Sequence, residues 1–143
     1  MMIMEKALWQ LIAAIPGLGI GSGAAARIYH TIAPQNAQDP YVIIQRVDSS
    51  RWRDVNGPSG MVQATIQVDV YGQSRYAVRG TAILIEQALD GYKGDVTITG
   101  TSPTTVCKFA GISCQNDVDL FDETDEPHLH RVSSDYLVTY EQT

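Results

Sequence analysis

The feature that most constrains this chain is the alternation that begins at Val62. Val62, Ala64, Ile66, Val68 and Val70 alternate with Gln63, Thr65, Gln67, Asp69 and Tyr71, the two-residue period of a strand with one apolar and one wetter face. After a short turn, Ser74 is placed to cap a helix, its hydroxyl accepting from a backbone N–H that has no partner within the helix. The helix predicted from there runs to about Asp90 and stops at Gly91. Val78, Ala82, Ile85 and Leu89 recur along one side of it. A strand and a helix with one apolar face each must bury those faces together, so this pair sets the core.

The remaining elements arrange themselves around it. A first helix is expected over Glu5 to Ile15, with Leu8, Leu11, Ile12 and Ile15 on one face, ending because a residue before Pro16 is pushed out of the helical region. Gly17, Gly19, Gly21 and Gly23 make a loop that starts a short helical turn through Ala24 to Arg27, and Ile28 to Ile32 reads as a short extended piece. Tyr41 to Val47 is a nearly continuous β-branched run, as in an internal strand. Asp48 to Gly60 reads as a long loop, because Asn56-Gly57-Pro58-Ser59-Gly60 is a series of breakers.

Val96 to Thr99 and Val106 to Cys114 are further strands, with Gly111 marking a bulge in the second. Asn116 to Glu126 holds six of the sixteen acidic residues and reads as a solvated loop. Val132 to Tyr140 closes the chain as a last strand. The expectation is a single α+β domain over residues 1–143, with a mostly antiparallel sheet of about four to five strands and two main α-helices packed on one face.

Charge and cysteine content narrow the function. A net charge of −6 opposes a surface built to grip phosphates. Cys107 and Cys114, seven residues apart, suit neither a redox pair nor a zinc framework and read as two free thiols, with a disulfide as the alternative. The N-terminus imitates a signal peptide, but Glu5, Gln10 and the amphipathic pattern favour a packing helix. No segment reaches the ~20 apolar residues that cross a bilayer, and no membrane partner is expected.

Reaction chemistry is sparse. Gly19-Ile20-Gly21-Ser22-Gly23-Ala24 fits a loose dinucleotide fingerprint, yet a helix precedes it where a strand is required. There is no phosphate-binding GxxxxGK[ST] and no GxSxG. His128 and His130 beside the acidic run allow a small metal-dependent hydrolase as an alternative, against the plainer account of two exposed histidines at a turn. Asp117-x-Asp119 opens like a calcium loop, but Phe121 takes the next ligand position and the required glycine is missing. No catalytic, cofactor or metal residue is assigned, and the chain is read as a non-enzyme.

What is left is surface for partners. Arg51, Trp52 and Arg53 join two residue types that anchor interfaces. Asp117, Asp119, Asp122 and Glu123 are their electrostatic opposite, and a basic segment of one copy meeting an acidic segment of another makes a heterologous contact that can close a ring.

Several short stretches, in order across nearly the whole chain, carry a resemblance. These are Arg27-Ile28-Tyr29, Ala33-Pro34-Gln35, Pro40 to Val47, Gly57-Pro58-Ser59-Gly60, Ile66 to Tyr71, Ala88-Leu89-Asp90-Gly91 and Asp135 to Tyr140. In this series the chain resembles the tail-completion, or tail-terminator, proteins of long-tailed bacteriophages, prophages and gene-transfer particles. It is more glycine-rich than that pattern over Gly17 to Gly23 and longer over Val96 to Cys114. The resemblance implies a virion protein that caps the tail tube as a ring, a hexamer, stopping growth and presenting the head-tail joining surface. It implies as partners other copies of the chain, the tail tube protein and a head-completion protein, with DNA passing through the lumen without specific binding. It also implies a place at the head-proximal end of the tail, reached from the bacterial host cytoplasm during assembly. A head-side connector or adaptor is the neighbouring alternative.

Overall fold

The computed structural model describes residues 3–21, 26–34, 37–38, 40–54, 57–98, 105–122 and 129–141, with the backbone alone for residues 3, 51–54, 57–59 and 122. In chain order the elements are α1 (Ile3–Ala13), β1 (Ile28–His30), β2 (Tyr41–Asp54), β3 (Gly57–Gly72), α2 (Arg75–Leu89), β4 (Gly94–Ile98), β5 (Thr105–Asp122) and β6 (Leu129–Glu141). The strands form one sheet in the order β1-β2-β3-β6-β5-β4.

This corrects the expected architecture in two respects. The sheet has six strands and not four to five, and it is mixed, because β1 runs parallel to β2 with Ile28 opposite Val42 and His30 opposite Ile44. Most of the described residues are in strands, in a sheet curved as a half-barrel, so the helices are covers on a β structure and not an equal layer. The physical reason is length: three of the strands extend well past the apolar runs that announced them. A strand needs its ladder satisfied more than it needs a buried face, so polar residues continue β2, β3 and β5 wherever a neighbour supplies hydrogen bonds.

The organising pair forms as its pattern predicts. Val62, Ala64, Ile66, Val68 and Val70 are all buried and face Tyr140, Val138, Tyr136, Ser134 and Val132 across the β3–β6 ladder. Ser74 accepts from Ala77 N–H at 3.3 Å and caps α2, which buries Val78, Thr81, Ala82, Ile85 and Leu89. Asp90 N–H closes the helix on Glu86 O at 2.8 Å, and Gly91 follows at φ +84°, a left-handed conformation that glycine takes without a Cβ penalty.

α1 ends two residues earlier than the pattern predicts and buries Met4, Ala7, Leu8 and Ile12 in the same core. Glu5 is buried there too and pairs with Arg46 of β2, whose Nη2 also donates to Tyr140 Oη at 2.9 Å. The glycine loop is a structural corner. Leu18 and Ile20 are buried, Thr81 Oγ1 donates to Leu18 O at 2.9 Å, and Arg27 Nη2 donates to Gly19 O at 2.7 Å. The helical turn expected at Ala24 lies outside the described residues.

The segment expected as a loop from Asp48 to Gly60 is instead the distal half of the β2–β3 hairpin, turning between Asp54 and Gly57. The acidic run is not a loop up to Asp122, since Asn116 to Asp122 continue β5 against Asp135 to Leu129 of β6. Gly111 does lie beside an irregularity, the register shifting between Phe109 and Gly111 and again between Cys114 and Asn116.

Candidate functional site

The ladder fixes where the two charged segments stand. On β3, Gly72 is opposite His130 and Met61 is opposite Glu141. The β5–β6 turn therefore lies at one end of the sheet and the β2–β3 turn at the other. Gly57–Gly60 have no partner on β6 among the described residues, so the β2–β3 arm continues beyond that edge of the sheet.

Arg51, Trp52 and Arg53 sit on this arm. Arg51 pairs with Val62 and Arg53 with Pro58, so the three β3 residues Ser59, Gly60 and Met61 oppose Trp52 alone. Gly60 has φ +85°, and this bulge turns the arm at that point. The three side chains lie outside the described residues, as do Glu123, His128 and the side chain of Asp122.

Asp117 and Asp119 are engaged within the chain. Arg79 of α2 donates to Asp117 Oδ2 at 2.8 Å and also pairs with Asp119, and Arg75 lies 3.9 Å from Asp119. Burial alone works against the Arg79 charge, but its hydrogen bonds to the two carboxylates hold its pKa above the ordinary value. The two carboxylates expected to face a partner thus fasten α2 to β5. On the opposite side of the same strand, Val118 and Leu120 are exposed to 50% and 44%, which the acidic composition concealed. Their signal was present as the two-residue period of Asp117, Val118, Asp119 and Leu120.

A cleft of about 220 Å³ opens between the start of α2 and this end of β5 and β6, lined by Arg75, Arg79, Asp119, Phe121, His130 and Arg131 among others. His130, one half of the alternative metal pair, packs its ring 4.6 Å from Phe121. No group of three or more His, Cys, Asp or Glu that could hold a metal occurs among the described residues.

The sheet face turned away from the helices carries a wired polar array that sequence reading passed over. Arg131 Nη2 donates to Asp69 Oδ2 at 2.9 Å, and Gln67 Nε2 donates to Asp69 Oδ1 at 3.1 Å and to Ser133 Oγ at 3.0 Å. Beside it Tyr41 stacks on Tyr71 with ring centroids 5.1 Å apart. Every partner is a cross-strand or next-nearest neighbour, so the face is preorganised before anything meets it.

Cys107 and Cys114 are both free. Seven residues of one strand separate them by roughly 20 Å, far beyond disulfide reach. Burial pushes each thiol up to about 11, which keeps both protonated and unreactive at neutral pH.

Comparison with known proteins follows the same lines. Residues 6–141 match the family model described as Tail completion protein gp17. No curated protein matches the sequence. Among solved structures, a chain from the virion of a native gene transfer agent (GTA) particle superposes with a TM-score of 0.68 at 13% identity, over 96% of this chain and 94% of that one. At that identity the likeness is one of fold.

Proposed function

Because this chain belongs to the Tail completion protein gp17 family, a family of structural phage tail proteins, we propose that it caps the end of a tail tube as a ring of identical copies. The ring halts tube growth and offers the surface that joins tail to head. Its partners are other copies of itself, sixfold around the axis, the tube protein beneath and a head-completion protein above. DNA passes through the lumen unbound, in keeping with the net charge of −6.

One observation carries this reading. The β2–β3 arm and the β5–β6 end occupy opposite ends of a single sheet, so a contact between one end of a copy and the other end of the next is heterologous, and such a contact repeats until it closes. The fold shared with a gene transfer agent virion chain supports the same assignment. Arg51, Trp52, Arg53, Asp122 and Glu123, from the two segments that lead to those ends, are the proposed contact set.

Mass measurement on the purified protein, alone and mixed with tube protein from the same genome, tests it. A discrete ring, formed alone or on the tube, is expected. A chain that stays monomeric and leaves tube length unchanged at every ratio refutes the reading.

A further inference from the structure

Two strands of the sheet have long outer edges that their neighbours do not cover. β1 is three residues long and lies beside only Val42 to Ile44 of the fourteen-residue β2. β4 is five residues long and lies beside only Thr105 to Phe109 of the eighteen-residue β5. Among the described residues no strand pairs with the outer side of β2 from Gln45 to Asp54, or with that of β5 from Gln115 to Asp122.

The main-chain groups at these edges can be placed. Val42 N–H donates to Arg27 O at 2.9 Å and Ile44 O accepts from Thr31 N–H at 2.9 Å, so these residues direct their backbone away from β3. Continued past the extra residue Val47, the antiparallel alternation turns Ser49 and Arg51 the same way. On β5, Ile112 exchanges hydrogen bonds with Gly91 and Tyr92, and Cys114 N–H donates to Asp90 Oδ1 at 2.9 Å. That loop covers the edge as far as Cys114. Beyond the next register shift the alternation points Asp117 and Asp119 outward.

We propose that the uncovered edge of β2 in one copy pairs with the uncovered edge of β5 in the next, so that the sheet runs continuously from copy to copy. The two edges are of similar length, ten and eight residues. Their sequences differ in charge, with Arg51 and Arg53 on one and Asp117, Asp119 and Asp122 on the other, although Asp117 and Asp119 are already held by Arg79. Val47, Val118 and Leu120, large hydrophobic residues exposed among the described ones, stand on these same two strands. An exposed edge of this kind is a template for strand addition that a protein ordinarily blunts, and here the occupant is a second copy because the chain itself supplies the complementary edge. The inference rests on the proposed ring and gives its contact a form.

Amide hydrogen exchange on monomer and assembled ring is the test, together with Ser49→Pro, which removes an outward N–H without touching the β2–β3 ladder, and Ser49→Ala, which keeps it. In the ring the amides of Ser49, Arg51, Asp117 and Asp119 are expected to slow at least about tenfold, and Ser49→Pro to weaken association at least about tenfold while Ser49→Ala does not. A ring in which these four amides exchange as in the monomer overturns the edge pairing and leaves the ring standing. Slowing at Ser49 and Arg51 alone overturns it also, because another occupant then covers β2. If Ser49→Pro fails to fold, the exchange measurement on the parent protein decides. A chain that forms no ring refutes the functional reading and this inference together.

Discussion

Arg79 on α2 holds Asp117 on β5 through a 2.8 Å hydrogen bond from Nη1, and the other arm of the same guanidinium reaches Asp119. Fork-shaped Arg can serve two carboxylates at once where Lys cannot. All three groups are about one-third exposed or more, so water screens the pair. Arg79→Ala is therefore expected to cost only about 0.5–1 kcal/mol in a urea titration, less at high salt. A loss several times larger, or one indifferent to salt, contradicts this account of the contact.

The same residues show what the sequence could and could not disclose. The β3 alternation and the α2 stripe were legible because each exposes a regular apolar period against a polar one, and every residue of both is buried as that period requires. Asn116 to Asp122 was not legible as strand, since a dense acidic run resembles a solvated loop until Arg79 and the β6 ladder are known to neutralise and pair it. Arg51 to Asp54 was hidden for a related reason, lying in a hairpin arm with breakers opposite it. The parallel β1 is three residues long, too short to leave a period at all.

Glu5→Ala is expected to cost more than Arg79→Ala. Glu5 is 6% exposed and faces Arg46, which has Tyr140 as its other partner. Removing the acid strands a largely desolvated guanidinium, a loss of about 3 kcal/mol, at the low end for a buried pair because Arg46 retains some solvent contact. Glu5→Met combined with Arg46→Leu should recover most of it. A urea midpoint no lower in Glu5→Ala than in Arg79→Ala refutes the ranking.

Stability should also fall in mild acid through His30. Burial lowers its pKa below the usual 6.5, only partly offset by the charge of Glu5. The unfolded chain then takes up the proton first, so this contribution is fully present above about pH 6.5 and is lost as pH falls through the unfolded and then the folded pKa. Urea midpoints at pH 7 and pH 5 are expected to differ more in the parent than in His30→Asn. Equal differences exclude His30 as a source of the acid sensitivity.

Two glycines give opposite expectations for the same substitution. A Cβ on Gly72 stands 2.8 Å from Val78 Cγ2, and Val78 is fully buried, so Gly72→Ala forces the junction between β3 and α2 to shift, at about 1–3 kcal/mol. Gly80 lies inside α2 with nothing within 4 Å of that position. Gly80→Ala should stabilise by about 0.5–1 kcal/mol through helix propensity. Thermal melts of the two variants side by side must move in opposite directions.

Trp52→Ala addresses the proposed assembly directly. Trp52 lies opposite a bulge on the β2–β3 arm, where Gly57–Gly60 have no partner on β6 among the described residues. Aromatic anchors flanked by arginine carry more than their share of interface energy, about 2 kcal/mol or more on truncation. The variant is thus expected to melt within a few degrees of the parent, yet to need at least about tenfold more protein to form the ring or to cap tubes. Both halves matter, because a tryptophan folded back onto its own domain gives the reverse outcome, a lowered melting temperature with assembly unchanged once the surviving folded fraction is counted. Native mass spectra across a concentration series, read beside the melts, separate the two, and unchanged assembly removes this arm from the contact.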